Sequence, residues 1–388
     1  MTSNKSRLLV IDALRGFAIV AIMLLHNLEH FDFYHLPPHL PEWMQSLDKG
    51  VWDTLFFLFA SKSYSIFAML FGLTFFIQSN NQRQKGNDFN GRFAWRLVLL
   101  FGFGMINSIF FQGDILTIYA VIGLLLIPLS YLNSKVLIGI AALMLLQPVE
   151  WGTLLHAIQN PDQKMLDPVS WTYFGKMHEY IPNSSMLDTV IGNLTNGKIA
   201  VILWNWENGR FFIILAMFLF GLVAGRNQLF VTSDESNSFW KKTLIGAVVA
   251  FGIFYPLRVF MPDWIESAAI ERSALTIVSP WADIALMLVW VSGIFLLFQK
   301  KSFNKILMIF APLGRMSLTN YVMQSVIGST LYYGYGFALY KYTGATYSFL
   351  IAIVLSILTG LFCHWWANNY KHGPLEGIWH KLTWLGKK

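Results

Sequence analysis

Long apolar runs, separated by short polar or charged connectors, make up most of the chain. A helix rises about 1.5 Å per residue, so roughly 20 apolar residues cross a hydrocarbon core about 30 Å thick. This criterion predicts an all-α polytopic transmembrane bundle of about ten spans, forming one transmembrane domain over residues 1–388. The predicted spans lie at residues 8–29, 51–78, 94–111, 114–132, 135–156, 209–225, 241–261, 279–299, 304–333 and 346–370.

Basic residues collect in the connectors that follow the even-numbered runs. Examples are Arg83, Arg92, Arg96, Lys135, Lys241, Lys301 and Lys371. Because loops rich in Lys and Arg stay on the cytoplasmic side of a membrane, this pattern predicts that both termini are cytoplasmic. Residues 371–388 are then a cytoplasmic C-terminal tail.

The longest connector, residues 157–208, falls on the opposite, outer side in this topology. Connectors of this length are usually functional or locally structured. We therefore expect partial helices that lie against the membrane and roof an outward-facing cavity.

Composition supports the membrane assignment. The chain is 55% hydrophobic and only 13% charged, which excludes an ordinary soluble domain. The net charge of +7 lies in short basic clusters between apolar runs, so it indicates membrane topology and no nucleic-acid partner. The single cysteine, Cys363, excludes an intrachain disulfide.

The first apolar run carries three polar side chains that an anchor helix would not need: Asp12, Arg15 and His26. Charged groups at membrane depth are costly and are retained mainly at functional sites or in pairs. Asp12 and Arg15 are three residues apart and can form an ion pair that only stabilises the bundle. Arg15 and His26 are eleven residues apart and share one helix face at depths about 16 Å apart. In the functional interpretation, Arg15 binds a phosphorylated donor and His26 is a general base.

The sequence HNLEH, residues 26–30, matches the H-x-x-E-H pattern of some zinc enzymes. In that alternative, His26 and His30 bind zinc and Glu29 is the base. Five-residue patterns arise easily by chance, and Pro37 ends the helix before further histidines add ligands. We therefore predict no metal here.

Glu29 at the end of the first span and several residues of later spans are also polar, and interhelical hydrogen bonds or ion pairs explain each one individually. Together they predict a polar cavity. The candidates are Glu29, Lys62, Ser65, Asp114, Arg210, Arg258, Arg315, Asn320 and Gln324. The last three recur along the ninth span, where they are expected to line the wall opposite His26.

Two phrases in the chain are alike: AMLFGLTFFIQSNNQ at 68–82 and AMFLFGLVAGRNQ at 216–228. They end two spans that run in the same direction. Chance and duplication explain this similarity equally well.

Several motifs resemble those of a known family. They are the opening from Arg7 to Ile19, SYSIFAMLFG at 63–72, GDILTIYAVIGLLLIPL at 113–129, PLGRMSLTNYVMQSVI at 312–327 and GPLEGIWHKLT at 373–383. The chain resembles the YeiB-like bacterial inner-membrane proteins, a domain family of unknown function numbered 418. The first helix also resembles that of the type-three membrane acyltransferases and, more distantly, heparan-glucosaminide acetyltransferase.

The acyltransferase resemblance implies a function. An acyl-CoA donor on the cytosolic side would contact Arg15 and Asp12, with Arg92 and Arg96 helping to hold its phosphates. His26 would be catalytic, and a glycan or lipid acceptor would bind at the outer side. The alternatives are a transporter or flippase for an anionic molecule or lipid, and a membrane zinc hydrolase. A multi-pass inner-membrane protein with lipid contacts, possibly a homodimer, is expected.

Overall fold

The computed structural model describes residues 2–37, 39–160 and 166–385, with side chains from Leu9 onward. These residues form helices joined by turns and loops, and no strand occurs among them. The all-α prediction is therefore confirmed. Residue 1 of the predicted domain and residues 386–388 of the predicted tail lie outside this description, as do residues 161–165 of the long connector.

The described chain contains twenty α-helices, several of them joined end to end. In order they are α1 Thr2–Leu28, α2 Glu42–Phe59, α3 Lys62–Arg83, α4 Asn90–Phe110, α5 Leu116–Gly123, α6 Leu126–Leu129, α7 Ser134–Leu145, α8 Pro148–Gln159, α9 Val169–Gly175, α10 Met177–Tyr180, α11 Met186–Gly192, α12 Lys198–Glu207, α13 Arg210–Arg226, α14 Asp234–Trp264, α15 Ala268–Phe298, α16 Lys301–Leu307, α17 Ala311–Arg315, α18 Ser317–Tyr332, α19 Ala345–Asn369 and α20 Pro374–Thr383.

Helix α1 lies at the centre of the bundle and packs against α3, α17, α18 and α19. Two glycines allow α1 and α17 to approach closely. A Cβ atom at Gly16 would collide with the Phe310 carbonyl, and one at Gly314 would collide with the Asp12 carbonyl. Small residues at helix crossings permit this backbone contact within a membrane.

Helices α3 and α13 cross in a similar way, through the two phrases that look alike in the sequence. A Cβ atom at Gly72 would collide with the Phe218 carbonyl, and one at Gly221 would collide with the Met69 carbonyl. Each glycine therefore contacts the backbone of the other segment closely. The similar sequences form two sides of one helix crossing.

Several predicted spans are interrupted. The second breaks at Ala60 and Ser61, where Ser61 has a left-handed backbone with φ of 64°. The fifth breaks at Gln147, which has φ of 55°. Residues 114–132 form only the short helices α5 and α6. Among the described residues, seven helical segments are long and apolar enough to cross a membrane, or nine if each of two bent pairs is one span, instead of the ten predicted.

The ninth predicted span is one of the bent pairs. Its two parts, Lys301–Arg315 and Ser317–Tyr332, meet at an angle of 77°. The Glu376 carboxylate accepts hydrogen bonds from the Leu318 and Thr319 amides at 2.8 and 3.0 Å, so it caps the helix that begins after the break. The prediction of one continuous helix here is wrong.

Two regions outside the long helices also carry structure. In the long connector, α9 to α12 and a π-helical turn at Asn193–Gly197 follow one another. Near the C-terminus, α20 folds back and packs against α4 and α18. Most of the predicted tail is therefore a packed helix.

Candidate functional site

The Arg15 side chain is held by two neighbours. Its Nη1 lies 3.4 Å from Asp12 Oδ1, and its Nη2 donates to the Thr74 hydroxyl on α3. The side chain remains 21% exposed. The ion pair expected from the i,i+3 spacing is present, and it leaves part of the guanidinium accessible.

Arg15 lines a cavity of about 360 Å³, here named the Arg15 cavity. Two more guanidinium groups, those of Arg96 and Arg315, line the same space. Arg96 lies over the Trp379 ring, 4.3 Å from its centroid, and Arg315 is exposed. The cavity therefore carries three cations that can contact an anionic ligand.

Helix α20 forms part of this cavity, which the sequence interpretation missed. The residues it contributes with its preceding turn are His372, Glu376, Trp379 and His380. The GPLEGIWHKLT motif in the sequence could have indicated this contribution, because it supplies three of these four lining residues. The prediction of a cytoplasmic tail for this segment did not anticipate that it lines the cavity.

Arg92 has a different position from the one proposed for it. Its Nη1 donates to the Thr383 carbonyl at 2.5 Å, and its guanidinium lies 4.6 Å from the Trp384 ring centroid. It is absent from the cavity lining. Arg92 therefore anchors the end of α20, and only Arg96 of this pair faces the cavity.

His26 lines a second cavity of about 420 Å³, the His26 cavity. Three aromatic rings surround its imidazole: Phe111 at 4.6 Å, Phe31 at 5.6 Å and Tyr321 at 6.2 Å between centroids. Within the described chain no group hydrogen-bonds this imidazole. Both ring nitrogens are therefore available to a molecule in the cavity.

Two carboxylates, Glu29 and Asp32, line the same cavity. The Tyr34 hydroxyl donates to Glu29 Oε1 at 3.1 Å. Burial, followed by the neighbouring Asp32, raises the pKa of Glu29 to about 8, and burial raises the pKa of Asp32 to about 7. Since like charges in close proximity disfavour double ionisation, the pair holds a proton near neutral pH.

Asp32 was missed by sequence reasoning because it lies beyond α1. Three consecutive residues, His30, Phe31 and Asp32, have positive φ values of 47°, 57° and 69°. Such left-handed backbone is costly for residues other than glycine and tends to persist where the surrounding structure requires it. This turn directs the chain so that Asp32 reaches the cavity.

The same turn separates the histidines of HNLEH. His30 leaves the helix, and its Nε2 lies 2.9 Å from the Ser348 hydroxyl and 3.2 Å from that of Thr343. His26 instead faces the cavity. The zinc interpretation requires both histidines on one helical face, so the geometry does not support it. The described residues contain no cluster of three or more suitable metal-ligand side chains.

Asp114 also borders the His26 cavity, but its carboxylate is fully engaged. It accepts from the Asn107 side chain at 3.2 Å, from the Thr117 amide at 3.0 Å and from Lys198 Nζ at 3.3 Å. Its exposed fraction is 0%. These contacts tie α4, α5 and α12 together, so Asp114 stabilises the cavity wall.

Arg210 lies at the border of the His26 cavity and a third cavity of about 560 Å³, the Arg258 cavity. Its guanidinium stacks on Trp204 and Tyr64, 3.9 and 4.5 Å from their centroids. In the described residues no carboxylate lies within 4 Å of it. Arg210 is thus a cation held by aromatic faces between two cavities.

The remaining predicted polar residues fall around the Arg258 cavity. Asp283 pairs with Lys62 Nζ at 2.6 Å and with Arg258 Nη1 at 3.3 Å. Ser65 lines the cavity and donates its hydroxyl to the Ser61 carbonyl at 2.7 Å. The structure therefore places Arg258 and Ser65 with Arg210, and apart from Arg15.

The structure places Asn320 and Gln324 away from the three cavities described. Asn320 donates to the Leu313 carbonyl at 3.0 Å and accepts from Cys363, while Gln324 donates to the Ile19 carbonyl at 3.4 Å. Both are buried between helices and line none of the three cavities described. Arg315 faces the Arg15 cavity, because the helix break separates it from these two side chains.

The Arg15 and His26 cavities meet near the middle of α1. Four residues line both: Ile22, Tyr64, Ile115 and Tyr321. A cation-lined cavity thus adjoins one that holds an unpaired imidazole and a carboxylate pair. An elongated molecule with an anionic end in the Arg15 cavity can therefore place its other end near the His26 imidazole.

Comparison with known proteins gives the same broad picture. Residues 224–386 match the family described as "Protein of unknown function (DUF418)". The chain is 27% identical to "Uncharacterized protein YxaH" of Bacillus subtilis, over 99% of this chain and 96% of that protein. It is 26% identical to "Uncharacterized protein YeiB" of Escherichia coli, over 97% and 96%. No solved structure matches.

These similarities confirm the resemblance to YeiB-like proteins. The names of the relatives state no activity or substrate. The chemistry of the site must therefore be inferred from the cavities themselves.

Proposed function

We propose that this chain, whose residues 224–386 match the DUF418 family of unknown function and which resembles the YeiB-like proteins, transfers an acyl group across the membrane. The donor is an acyl-CoA in the Arg15 cavity, and the acceptor is a hydroxyl or amine in the His26 cavity. The observation that carries this proposal is that two chemically different cavities meet beside α1, with Ile22, Tyr64, Ile115 and Tyr321 lining both.

The Arg15 cavity suits the donor. Arg15, Arg96 and Arg315 offer guanidinium groups to phosphates, and such contacts are strong because they are charge-assisted and often bidentate. The remaining lining includes Phe67, Phe71 and Leu97, which suit an apolar acyl group. The thioester end would then lie near the shared residues.

The His26 cavity suits the acceptor. The unpaired imidazole takes the proton of the acceptor hydroxyl, and the acceptor oxygen attacks the thioester carbonyl. The carbon–sulfur bond breaks, an ester forms, and the proton passes from His26 to the departing CoA sulfur. Because burial raises the pKa of both Glu29 and Asp32, protonation of these groups lowers the negative charge in this cavity.

In our proposed orientation, the protein lies in the inner membrane with the Arg15 cavity open to the cytosol. The His26 cavity then faces the outer side. This orientation follows from the basic connectors of the sequence and would bring a cytosolic donor to an external acceptor.

Replacing His26 tests the proposal. In purified protein, we expect His26→Ala and the larger His26→Gln to lower acyl-CoA turnover by about 10²- to 10⁴-fold, the usual contribution of a general base. Turnover would be measured as release of free CoA thiol, with thermal unfolding recorded for each variant. His364→Ala changes an exposed histidine on α19, outside the three cavities, and should keep wild-type turnover.

Unchanged turnover in a folded His26→Gln protein would exclude the catalytic role. A transporter of an anionic molecule is the second candidate, because two adjoining cavities also suit alternating access. It predicts no CoA release in detergent, and solute movement only in sealed vesicles.

A further inference from the structure

The Arg258 cavity lies beside the proposed acceptor site, mainly between α3, α13 and α15, with Arg258 contributed by α14. It shares five lining residues with the His26 cavity. They are Ser61, Tyr64, Trp171, Trp204 and Arg210. A molecule bound in one cavity can therefore extend into the other.

Cations outnumber carboxylates around the Arg258 cavity. Arg210, Arg258 and Arg272 line it with Asp283 and Glu271, and Lys62 pairs with Asp283 at 2.6 Å. Because Lys62 and Arg258 share this single carboxylate, one of their charges is uncompensated.

Arg272 adds to this excess. In the described part of the chain, no carboxylate lies within 4 Å of the guanidinium groups of Arg272 and Arg210. The Ser279 hydroxyl also lines the cavity, whereas the hydroxyls of Ser65 and Thr276 there donate to the backbone carbonyls of Ser61 and Arg272. Guanidinium groups with nearby hydroxyl donors are the usual partners of a phosphate.

The wall formed by α14 is open to the membrane. Only 11% of its candidate span is buried within the protein, compared with 61% for α1. The two residues that follow Arg258, Val259 and Phe260, are 47% and 51% exposed. An apolar lipid-facing surface thus borders the cationic cavity directly.

We propose that the Arg258 cavity binds the phosphate of an anionic glycerophospholipid that enters from the membrane beside α14. Arg258 and Arg272 contact the phosphate, and the acyl chains lie along Val259 and Phe260. A headgroup that carries a hydroxyl extends past Arg210 and Tyr64 into the His26 cavity.

The lipid is then the acceptor, a role that rests on the proposed acyl transfer. The headgroup O–H loses its proton to His26, and its oxygen forms an ester with the acyl carbon as the bond to the CoA sulfur breaks. The sulfur receives the proton. The product is a phospholipid with an acylated headgroup.

Lipid binding tests this proposal without requiring activity. Full-length wild-type protein and the Arg258→Gln/Arg272→Gln double variant would be placed in nanodiscs that contain phosphatidylglycerol and phosphatidylcholine. Phosphatidylglycerol retained after extraction would be counted by native mass spectrometry. We expect about ten-fold weaker retention in the double variant, as for loss of a charge-assisted contact.

Two controls define the result. Lys242→Gln removes an exposed cation at the other end of α14 and should retain phosphatidylglycerol like wild type. Lys62 still pairs with Asp283 in the double variant, so that carboxylate keeps a partner. Thermal unfolding similar to wild type would show that the double variant is folded.

Equal retention by the wild type and a folded double variant would overturn the proposal. If soluble sn-glycerol 3-phosphate displaced the lipid completely, the bound anion would be a soluble phosphate, and the lipid assignment would be wrong. If the double variant did not fold, single Arg272→Gln protein would be tested, and unchanged retention there would equally reject the site.

The failure of acyl transfer is distinguishable from the failure of lipid binding. His26 does not line the Arg258 cavity, so His26→Gln should retain phosphatidylglycerol at the wild-type level. Retained lipid without any CoA release in wild-type protein would reject acyl transfer and keep the lipid site.

Discussion

At the scale of single residues, the site combines groups whose charges depend on one another. His26 has free ring nitrogens, Glu29 and Asp32 share the same cavity, and Arg210 is held on aromatic faces nearby. Their partners come from different helices and from the turn after α1. The local environment, more than residue type, therefore determines what each group can do.

Glu29 gives a prediction about stability and pH. Burial and Asp32 raise the pKa of Glu29 from 4.5 to about 8, so the folded state binds more protons than the unfolded state between these values. Stability from this group therefore falls as pH rises through that window. We expect Glu29→Gln to make the thermal unfolding temperature fall less steeply with pH than in wild type.

The comparison with wild type isolates Glu29. Burial lowers the pKa of His30 to about 4, which raises stability with pH, but this contribution is present in both proteins. Glu179→Gln, which changes an exposed carboxylate on α10, should keep the wild-type slope. Identical slopes for Glu29→Gln and wild type would contradict the raised pKa of Glu29.

At the scale of helices, glycines determine how closely the central elements pack. Gly16 and Gly314 bring α1 against α17, and Gly72 and Gly221 bring α3 against α13. In a membrane such contacts stabilise association, because lipid provides no hydrophobic driving force between helices. The positions of the glycines thus permit the close α1–α17 and α3–α13 crossings.

Alanine at the α3–α13 crossing should be destabilising. At Gly221 the added Cβ atom would collide with the Met69 carbonyl, so the two helices must separate. We expect Gly221→Ala to cost about 1–3 kcal/mol, as overpacking in a close-packed interior does. Thermal unfolding followed by tryptophan fluorescence would measure the change.

Gly139 on α7 is the matched control, because a Cβ atom there has no neighbour within 4 Å. Gly139→Ala should be neutral or stabilise by roughly 0.5–1 kcal/mol, since alanine favours a helix. Equal stability of Gly221→Ala and Gly139→Ala would exclude a tight crossing.

At the scale of the whole molecule, the Arg15 and His26 cavities are arranged along α1 and meet at its middle. His372, at the start of the α20 region, borders the first. Asn208, between α12 and α13, borders the Arg258 cavity that joins the second. Acyl transfer across the membrane requires these two residues to face opposite compartments.

Cysteine labelling tests this topology. The buried Cys363 is the only cysteine, so Cys363→Ser gives a background without thiols. We expect Asn208→Cys to react with a membrane-impermeant maleimide in intact cells, and His372→Cys to react only in inverted vesicles. Both residues are exposed, so both should be reactive from the correct side.

Reactivity of both cysteines from one side would contradict the two-sided arrangement. An exchange of the two results would preserve it but reverse the orientation derived from the basic connectors. The background protein without introduced cysteines should remain unlabelled in both preparations.

The amino-acid sequence by itself determined the all-α membrane class and which polar residues the first helix, α1, carries. Apolar runs of sufficient length have few alternatives to helices in a bilayer, because every backbone polar group must be satisfied within the segment. The Asp12–Arg15 ion pair was also predictable, because the two residues lie about one turn apart on the same helix. Resemblance of local motifs also sufficed to suggest YeiB-like proteins.

Only the tertiary structure decided which polar residues share a cavity. Asn320 and Gln324 are buried between helices, Arg92 anchors α20, and Asp32 enters the site through a left-handed turn. Asp114 pairs with Lys198, 84 residues away in the sequence. Helix breaks and contacts between distant segments set these positions. Hydrophobic periodicity predicts neither of them, because it shows which face of one segment is buried but not which other segments pack against that face.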